Sequence, residues 1–220
     1  MHLKVIDLDL VDFQDAWAKQ KELFREVKDG RFCAGLIVCR HHPVITISRK
    51  AKNRENILAS QEELREKGIA IYEVERGGDV TYHGPGQLIA YPVLNLNYFK
   101  KDIHWFLRYL EELIIRCLND SGVRGERVSG LTGVWIRHKK IASIGIAVSN
   151  WITFHGLSIN VKKSDLANFS LIRPCGMDIM VTSVESETNE IVHIGDLKQK
   201  FLKLLEGDIR NGKNSLAAIK

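Results

Sequence analysis

Two short apolar runs flank a glycine-rich stretch in the first half of the chain, and no other feature restricts the local fold as strongly. The stretch from 76 to 93 reads RGGDVTYHGPGQLIAYPV. An apolar run, Ile69–Val74, precedes its polar part, and a second run, Leu88–Val93, ends it. Runs of this length bounded by turn residues are typical of buried strands. The spacing predicts a loop held between two strands, where binding and catalytic groups are common.

Glycine and polar side chains dominate this predicted loop. Its glycines either permit positive φ or let a ligand lie directly against backbone amides. The polar side chains are Arg76, Thr81, Tyr82, His83 and Gln87. A glycine-rich hairpin without a ligand explains the composition equally well. No Gly-Lys-Ser/Thr follows, and the glycine spacing does not match a dinucleotide fingerprint, so phosphate binding is only weakly indicated.

Length and composition indicate one folded domain over residues 1–220. The chain is 45% hydrophobic and 27% charged, which allows one substantial core. We expect the polar segment 208–220 to fray. No apolar run approaches the roughly 20 residues of a membrane span, and the N-terminus has no signal or transit pattern. These features predict a cytoplasmic protein that does not interact with membranes.

The charge and the cysteine pattern restrict the partners. The formal net charge is +5, but the basic residues are spread along the chain, so an acidic protein partner fits as well as nucleic acid, and we expect no nucleic acid. The four cysteines form no C-x-x-C pair, and we expect them to be reduced, with no zinc site. His41 and His42 lack a nearby acidic or cysteine ligand, which favours a surface turn over a metal site.

Hydrophobic periodicity predicts most of the remaining elements. The predicted strands are Leu3–Leu10, Ala34–Cys39, Val44–Ile47, Gly133–Ile136, Ile141–Val148, Phe154–Val161 and Val181–Val184. The predicted helices are one from Phe13 to Gly30, a short one with a Ser60–Glu63 capping box, one capped by Asp102 that ends at Gly122, and one capped by Asp196. Long loops are predicted at Arg49–Asn56 and Lys162–Met177.

One cysteine is a candidate nucleophile. Cys175 lies between Pro174 and Gly176, which favours an exposed sulfur over a core position, although a structural role stays equally open. A nucleophilic cysteine must be a thiolate, and its usual pKa of about 8.5 requires a nearby base or cation. Lys140, at a predicted hairpin tip beside a buried strand, is one candidate. His83 is the competing one, because Cys-His pairs are common in hydrolases.

Three blocks of sequence resemble the signatures of the bacterial lipoate-biosynthesis octanoyltransferases, in the biotin/lipoate protein ligase superfamily. The first is Arg76–Val93, preceded by a similar phrase at Arg40–Ser48 with Thr46 at the matching position. The second is residues 133–161, with KIASIG followed by FHGL, and the third is Leu171–Gly176, ending in PCG. The resemblance implies an α+β fold like the catalytic domain of these ligases, with a larger mixed sheet and a smaller sheet flanked by helices.

The resemblance also implies roles for individual residues. Cys175 matches the acyl-accepting cysteine, and Lys140 matches the lysine that lowers its pKa and transfers protons. The positions that match the acyl-substrate site are Arg76, Gly77, Gly78, Asp79, Val80, Thr81, Tyr82, His83, Ser143, Ile144, Gly145, Gly156, Leu157 and Ser158. Met177 departs mildly from the branched residue common there. No cofactor or metal is implied.

The implied reaction is octanoyl transfer from octanoyl-acyl carrier protein to a lysine of lipoyl domains, in 2-oxoacid dehydrogenases and the glycine cleavage H protein. It proceeds through a cysteine thioester and needs no ATP. Amides near the glycine-rich stretch or at Gly176 are candidate oxyanion donors. The alternatives are an ATP-dependent lipoate or biotin ligase on the same fold, a non-catalytic binder of lipoyl or carrier domains, and a cysteine hydrolase.

Overall fold

Two β-sheets form the scaffold of the protein, as seen in a computed structural model that describes residues 2–49 and 54–211, without the side chains of Arg54 and Cys175. The strands are β1 (Leu3–Val11), β2 (Ala34–His41), β3 (Val44–Ser48), β4 (Ala70–Val74), β5 (Val80–His83), β6 (Gln87–Leu94), β7 (Glu126–Val128), β8 (Leu131–Ile136), β9 (Lys139–Ser149) and β10 (Ile152–Asn160). The helices are α1 (Phe13–Lys28), α2 (Gln61–Glu66), α3 (Ile103–Asn119), α4 (Val184–Thr188) and α5 (Ile194–Asn211). Short 3-10 helices occur at Arg54–Asn56, Leu96–Tyr98, Lys163–Leu171 and Pro174–Gly176.

The larger sheet has the order β1-β2-β6-β10-β9-β8-β7, and the smaller one has the order β4-β3-β5. In the larger sheet, β1 and β2 are parallel and the other neighbours are antiparallel. In the smaller sheet, β3 is parallel to β4 and antiparallel to β5. This arrangement confirms the predicted α+β class with a larger mixed sheet, a smaller sheet and flanking helices.

Helices cover the larger sheet with the apolar stripes that the sequence predicts. On α3, Phe106, Leu110 and Leu113 are fully buried in the main core, and Cys117 packs with them. On α5, Phe201 lies in the same cluster. Full burial of a side chain of this size contributes about 2–3 kcal/mol of transfer free energy, so these stripes fix both helices against the sheet. Helix α1 packs separately against β2, β6 and β10.

Capping residues end or begin the helices largely where the sequence predicts. The Asp102 carboxylate accepts a hydrogen bond from the Trp105 N–H at 3.0 Å, and the Ser60 hydroxyl accepts one from the Glu63 N–H at 3.1 Å. Helix α5 begins at Ile194, before the predicted cap Asp196, which lies in the first turn. A carboxylate there still suits the positive end of the helix dipole.

The middle of the chain differs from the prediction in three places. The stretch predicted as one loop contains β5, which pairs with β3 although half of its residues are polar. The short strand β7 was not predicted. His41 is not in a surface turn: it ends β2 and is fully buried, with ring nitrogens 2.9 Å from the Val11 carbonyl and 2.7 Å from the Tyr91 hydroxyl. Tertiary partners thus hide a histidine that looked exposed.

The second half differs as well. Val181 makes only an isolated bridge with Lys140, and α4 begins at Val184, so the predicted strand Val181–Val184 is wrong. The loop predicted at Lys162–Met177 contains two 3-10 helices. Helix α5 continues through 208–211 because Asp208 binds the guanidinium of Arg116 at 2.9 Å, whereas 212–220 lie outside the described residues. Of the predicted loop at 49–56, residues 50–53 also lie outside them.

Candidate active site

A cleft of about 630 Å³, partly open to solvent, lies between the smaller sheet and strands β9 and β10. The sequence-predicted residues that line it are Arg76, Gly78, Asp79, Val80, Thr81, His83, Lys140, Ser143, Ile144, Gly145, Gly156, Leu157 and Ser158. The lining is completed by Phe13, Thr46, Val74, Tyr91, His155 and Pro174. Residues from seven separated parts of the sequence (13, 46, 74–83, 91, 140–145, 155–158 and 174) therefore share one cleft.

Two predicted binding residues do not line the cleft. Tyr82 is fully buried on the other side of β5, where its ring packs against Phe169 and its hydroxyl accepts a hydrogen bond from Asn168 at 2.8 Å. This follows from strand alternation, which directs Thr81 and His83 toward the cleft. Gly77 lies behind the lining and donates its N–H to a carbonyl of β9 at 2.7 Å.

Arg76 is held inside the protein by backbone and hydroxyl oxygens. Its guanidinium donates to the Thr46 carbonyl at 2.7 Å, to the Thr46 hydroxyl at 3.0 Å and to the Gly77 carbonyl at 2.9 Å. The Ser48 hydroxyl donates to the Arg76 carbonyl at 2.8 Å. Arg76 therefore joins the segment 76–79 to β3 and fixes one wall of the cleft.

The other wall approaches that segment closely at Gly145 of β9. A Cβ atom at Gly145 would lie 2.9 Å from the Gly77 carbonyl and 3.1 Å from the Arg76 side chain. Any side chain at position 145 would therefore push segment 76–79 away from β9. The cleft needs glycine here for contact between its walls.

The second glycine pair of the stretch serves packing and not the cleft. The Gly86 N–H donates to the Asp165 carboxylate at 2.6 Å, and a Cβ atom at Gly84 would collide with the same carboxylate. Burial raises the pKa of Asp165 above its usual value. The glycine-rich stretch thus divides into a cleft segment, 76–79, and a structural turn, 84–86.

Lys140 lies within β9, not at a hairpin tip as the sequence predicts, because the tight turn occupies 137–138. Its side chain lines the cleft half-buried, with the ammonium 5.2 Å from the centroid of the Trp135 ring. The backbone N–H of Lys140 donates to the Met180 carbonyl at 2.8 Å, and the backbone carbonyl of Lys140 accepts from the Thr182 N–H at 2.9 Å. The chain that follows Cys175 therefore runs beside Lys140.

Cys175 is the middle residue of the 3-10 helix Pro174–Gly176, and its side chain is not among those that the structure describes. Pro174 lines the cleft together with Lys140. Just before the helix, the Arg173 N–H donates to the Asn56 carbonyl at 2.8 Å, and the Asn56 side chain donates to Asp79. The turn that carries Cys175 is thereby joined to segment 76–79.

His83, the competing partner for the cysteine, is buried in the lining with its Nδ1 atom 3.0 Å from the Gln87 side-chain oxygen. Burial and the neighbouring His41 lower the pKa of His83 to about 3. A histidine with this pKa is neutral at physiological pH and a weak proton acceptor. Of the two candidates, His83 is therefore the poorer general base.

Backbone hydrogen bonds reduce the number of candidate oxyanion donors. The Gly176 N–H donates to the Arg173 carbonyl at 3.1 Å, and the Gly77 N–H is also engaged, so neither amide is placed to bind an oxyanion. Other amides of segment 76–79 stay candidates. Within residues 2–49 and 54–211, no three His, Cys, Asp or Glu side chains are grouped as a metal site.

Burial disfavours the thiolate form of two other cysteines. Burial raises the pKa of Cys39 far above its usual value and that of Cys117 to about 12. Both thiols stay protonated in the core.

In the ranges that the structure covers, no helix has the length and apolar character that a membrane span requires.

The sequence did not single out Tyr91 or His155 as lining residues, although both lie inside the quoted blocks. Tyr91 precedes a proline in β6, and His155 precedes Gly156 in β10. Alternation along a regular β10 would direct His155 to the opposite face of the sheet. Its exposure to the cleft depends on a local irregularity that periodicity does not reveal.

Comparison with known proteins agrees with this architecture. The family model of the lipoyl protein ligase A/B catalytic domain matches residues 12–206. An octanoyltransferase of Cytophaga hutchinsonii is 42% identical over 91% of this chain and 90% of its own length. An octanoyltransferase of Caldicellulosiruptor saccharolyticus is 43% identical over 92% of this chain and 87% of its own. The bipartite lipoate protein ligase of Thermoplasma acidophilum superposes with a TM-score of 0.73 at 18% identity, over 96% of this chain and 84% of its own.

The two sheets and the cleft between them define a catalytic domain of the lipoate protein ligase fold. The chain belongs to the lipoyl protein ligase A/B catalytic domain family and, within it, to the octanoyltransferases, as the three sequence blocks predicted. It is an enzyme of the acyltransferase class.

Proposed function

We propose that the protein transfers an octanoyl group from octanoyl-acyl carrier protein to a lysine of lipoyl domains, through a thioester on Cys175. Lipoyl domains of 2-oxoacid dehydrogenases and the glycine cleavage H protein are the proposed acceptors. The similarity to octanoyltransferases at more than 40% identity over most of the chain supports the acyl group and the reaction class. The net charge of +5 suits acidic protein partners.

The proposed reaction has two acyl transfers. The Cys175 thiolate attacks the thioester carbonyl, the bond from carbonyl carbon to the carrier sulfur breaks, and the carrier thiol leaves with a proton. The amine of the target lysine then attacks the new thioester, the bond from the carbonyl carbon to the Cys175 sulfur breaks, and the amide forms while the amine's proton passes to Lys140 beside the released Cys175 thiolate. Lys140 takes the proton from the Cys175 thiol and gives it to the leaving carrier sulfur.

The observation that carries this proposal is the common location of Lys140 and the Cys175 turn. Pro174 and Lys140 line the same cleft, and hydrogen bonds join Lys140 to Met180 and Thr182, a few residues after the cysteine. These bonds hold the segment after Cys175 alongside β9. The shared cleft of Lys140 and Pro174, the residue before Cys175, supports a common site for the two proposed catalytic residues.

The cleft is suited to a medium-length alkyl chain. Its lining includes the buried apolar residues Phe13, Val74 and Leu157, whereas Lys140 and Pro174 are half-buried. Burial of each methylene contributes about 0.8 kcal/mol, so an octanoyl chain gains several kcal/mol in such a site. The thioester then stays near Lys140 and the tail contacts the buried apolar residues of the lining.

Intact-mass measurement after mixing with octanoyl-acyl carrier protein tests the proposal, without nucleotide and with chelator present. The wild type is expected to gain one octanoyl group on Cys175, and Cys175→Ala none. Cys33→Ala, which changes a half-buried cysteine elsewhere, serves as the matched control and is expected to be acylated.

Addition of a lipoyl domain is then expected to remove the octanoyl group from the enzyme and to add it to a domain lysine. An adduct that persists in Cys175→Ala would falsify the thioester assignment. Release of free octanoic acid would identify a hydrolase, a requirement for ATP would identify a ligase, and absence of any adduct on the wild type would indicate a non-catalytic binder.

A further inference from the structure

Strand β10 is irregular at His155. The backbone there has φ +56°, a left-handed conformation that residues with a Cβ atom rarely adopt. Pairing of β10 with β6 runs only from Leu157 to Asn160. Beyond it, the Thr153 hydroxyl accepts from the Leu94 N–H at 2.9 Å and donates to the Pro92 carbonyl at 2.7 Å, in place of backbone pairing.

This irregularity turns the His155 side chain into the cleft. The His155 N–H, which a regular ladder would use, donates to the side-chain oxygen of Gln20 on α1 at 2.9 Å. His155 lines the cleft together with Phe13, Val74 and Tyr91. Irregular strand positions of this kind often redirect a side chain next to an active site, and their strain is tolerated where function uses it.

The imidazole at this position has an unsatisfied nitrogen. His155 is only 2% exposed, and its Nε2 atom is buried with no hydrogen-bond partner among residues 2–49 and 54–211. Burial, with nearby Arg76 and Lys21, lowers the pKa of His155 to about 3, so the ring is neutral and has one donor and one acceptor nitrogen. A buried polar atom without a partner carries a free-energy cost that a bound group can remove.

The octanoyl chain that we propose as substrate has no polar group to offer this nitrogen. We propose that His155 is a specificity-determining residue, and that the enzyme also accepts medium-chain acyl groups that carry a hydroxyl near the tail, which hydrogen-bonds to the His155 ring. This inference rests on the proposed octanoyl transfer and extends its substrate class. The hydroxyl does not react: the acyl group passes through the same thioester and forms the same amide.

Competing transfer of octanoyl and 8-hydroxyoctanoyl groups from acyl carrier protein to a lipoyl domain tests the inference. The measured quantity is the ratio of kcat/KM for the hydroxylated chain to kcat/KM for the plain chain. His155→Gly and His155→Asn both tolerate a left-handed backbone, but only asparagine retains a hydrogen-bonding group. Loss of one buried hydrogen bond is expected to lower the ratio about tenfold in His155→Gly, and less than threefold in His155→Asn.

The outcomes separate the two proposals. Absence of octanoyl transfer by the wild type would reject the proposed function itself. Normal octanoyl transfer with an unchanged ratio in His155→Gly would overturn the role of His155, since the orphan nitrogen would then serve only a trapped water.

Nitrogen NMR of the wild-type acyl-enzyme provides a second measurement that does not depend on variant folding. The His155 Nε2 resonance is expected to shift with the hydroxylated chain and not with the plain chain. Identical resonances for the two acyl-enzymes would contradict the proposed hydrogen bond.

Discussion

At the scale of single residues, the chemistry depends on the environment of Lys140. An ordinary thiol is only a few per cent ionised at neutral pH, so the proposed nucleophile needs a neighbouring cation. Lys140 is held by backbone hydrogen bonds within a strand, which restricts where its ammonium can reach. His83 is neutral because burial lowers its pKa to about 3. Lysine is therefore the better candidate to stabilise a Cys175 thiolate.

Replacement of Lys140 by alanine is expected to raise the pKa of the Cys175 thiol by about one unit, because it removes the nearest proposed positive charge. The measurement is the rate of Cys175 alkylation by iodoacetamide as a function of pH. Lys139→Ala, which removes the adjacent charge in the same strand, is the matched control and is expected to leave the profile in place. An identical profile for Lys140→Ala and wild type would exclude Lys140 as the activator.

Sequence reasoning identifies some of these residues better than others. Cys175 and Lys140 could be singled out because short blocks with proline, glycine and lysine at fixed spacing are visible in the sequence. His155 could not, because its orientation comes from the Thr153 hydroxyl replacing backbone pairing and from the Gln20 side chain, contacts between distant segments. Tyr82 was grouped with its neighbours, and its position on the far side of β5 follows from strand alternation, which can be applied only once β5 is known.

At the scale of elements, a chain of hydrogen bonds joins four strands and the segment after Cys175. The His83 ring binds Gln87 at 3.0 Å, and Gln87 donates to the Asn160 side-chain oxygen at 2.9 Å. Asn160 donates to the Thr182 carbonyl at 3.0 Å, and the Thr182 N–H donates to the Lys140 carbonyl at 2.9 Å. This chain fixes the smaller sheet, the larger sheet and the segment near Cys175 relative to one another.

Asn160→Ala is expected to destabilise the protein by about 2–4 kcal/mol, because it removes the buried hydrogen bonds that Asn160 makes with Gln87 and with the Thr182 carbonyl. The same change is expected to slow acylation of Cys175 at least tenfold, since the 177–182 segment loses its attachment. Urea unfolding and the rate of octanoyl-enzyme formation measure the two effects.

Asn168→Ala is the control for this substitution, because it removes a comparable hydrogen bond, to the Tyr82 hydroxyl, outside the chain of contacts. It is expected to cost stability without slowing acylation. Equal loss of acylation in both variants would show that Asn160 acts through general stability alone.

Elements with regular periodicity were predictable, and those held by tertiary contacts were not. The apolar stripe of α3 and the cap at Asp102 appear directly in the sequence. Strand β5 was missed because its sequence, VTYH, lies among glycines and its pairing with β3 is long-range. The segment Val181–Val184 was predicted as a strand from its apolar residues, yet only Val181 forms a bridge. Local propensity gives way here to the packing of the cleft.

At the scale of the whole molecule, three neutral histidines are buried around the contact between the two sheets. Burial lowers the pKa of His41 to about 4 and the pKa values of His83 and His155 to about 3. The rings of His41 and His83 lie with centroids 6.0 Å apart. Protonation would place positive charges near Arg76 in a dry region, so the folded state resists it.

These shifts predict that acid weakens the protein in a defined window. The unfolded chain takes up protons as pH falls below the usual histidine value of 6.5, but the folded protein does not until pH approaches 3 to 4. The stability is therefore complete above pH 6.5 and decreases as pH falls, by up to about 1.4 kcal/mol per pH unit for each histidine. Urea unfolding between pH 5.5 and 6.5 measures this effect while most carboxylates of the unfolded chain, with usual pKa values of 3.8 and 4.5, stay ionised. His155→Asn is expected to reduce the slope of unfolding free energy against pH by about one third. The control His138→Asn, at an exposed turn, is expected to leave this slope unchanged. Equal slopes in the wild type and both variants would mean that the buried histidines take up protons without unfolding.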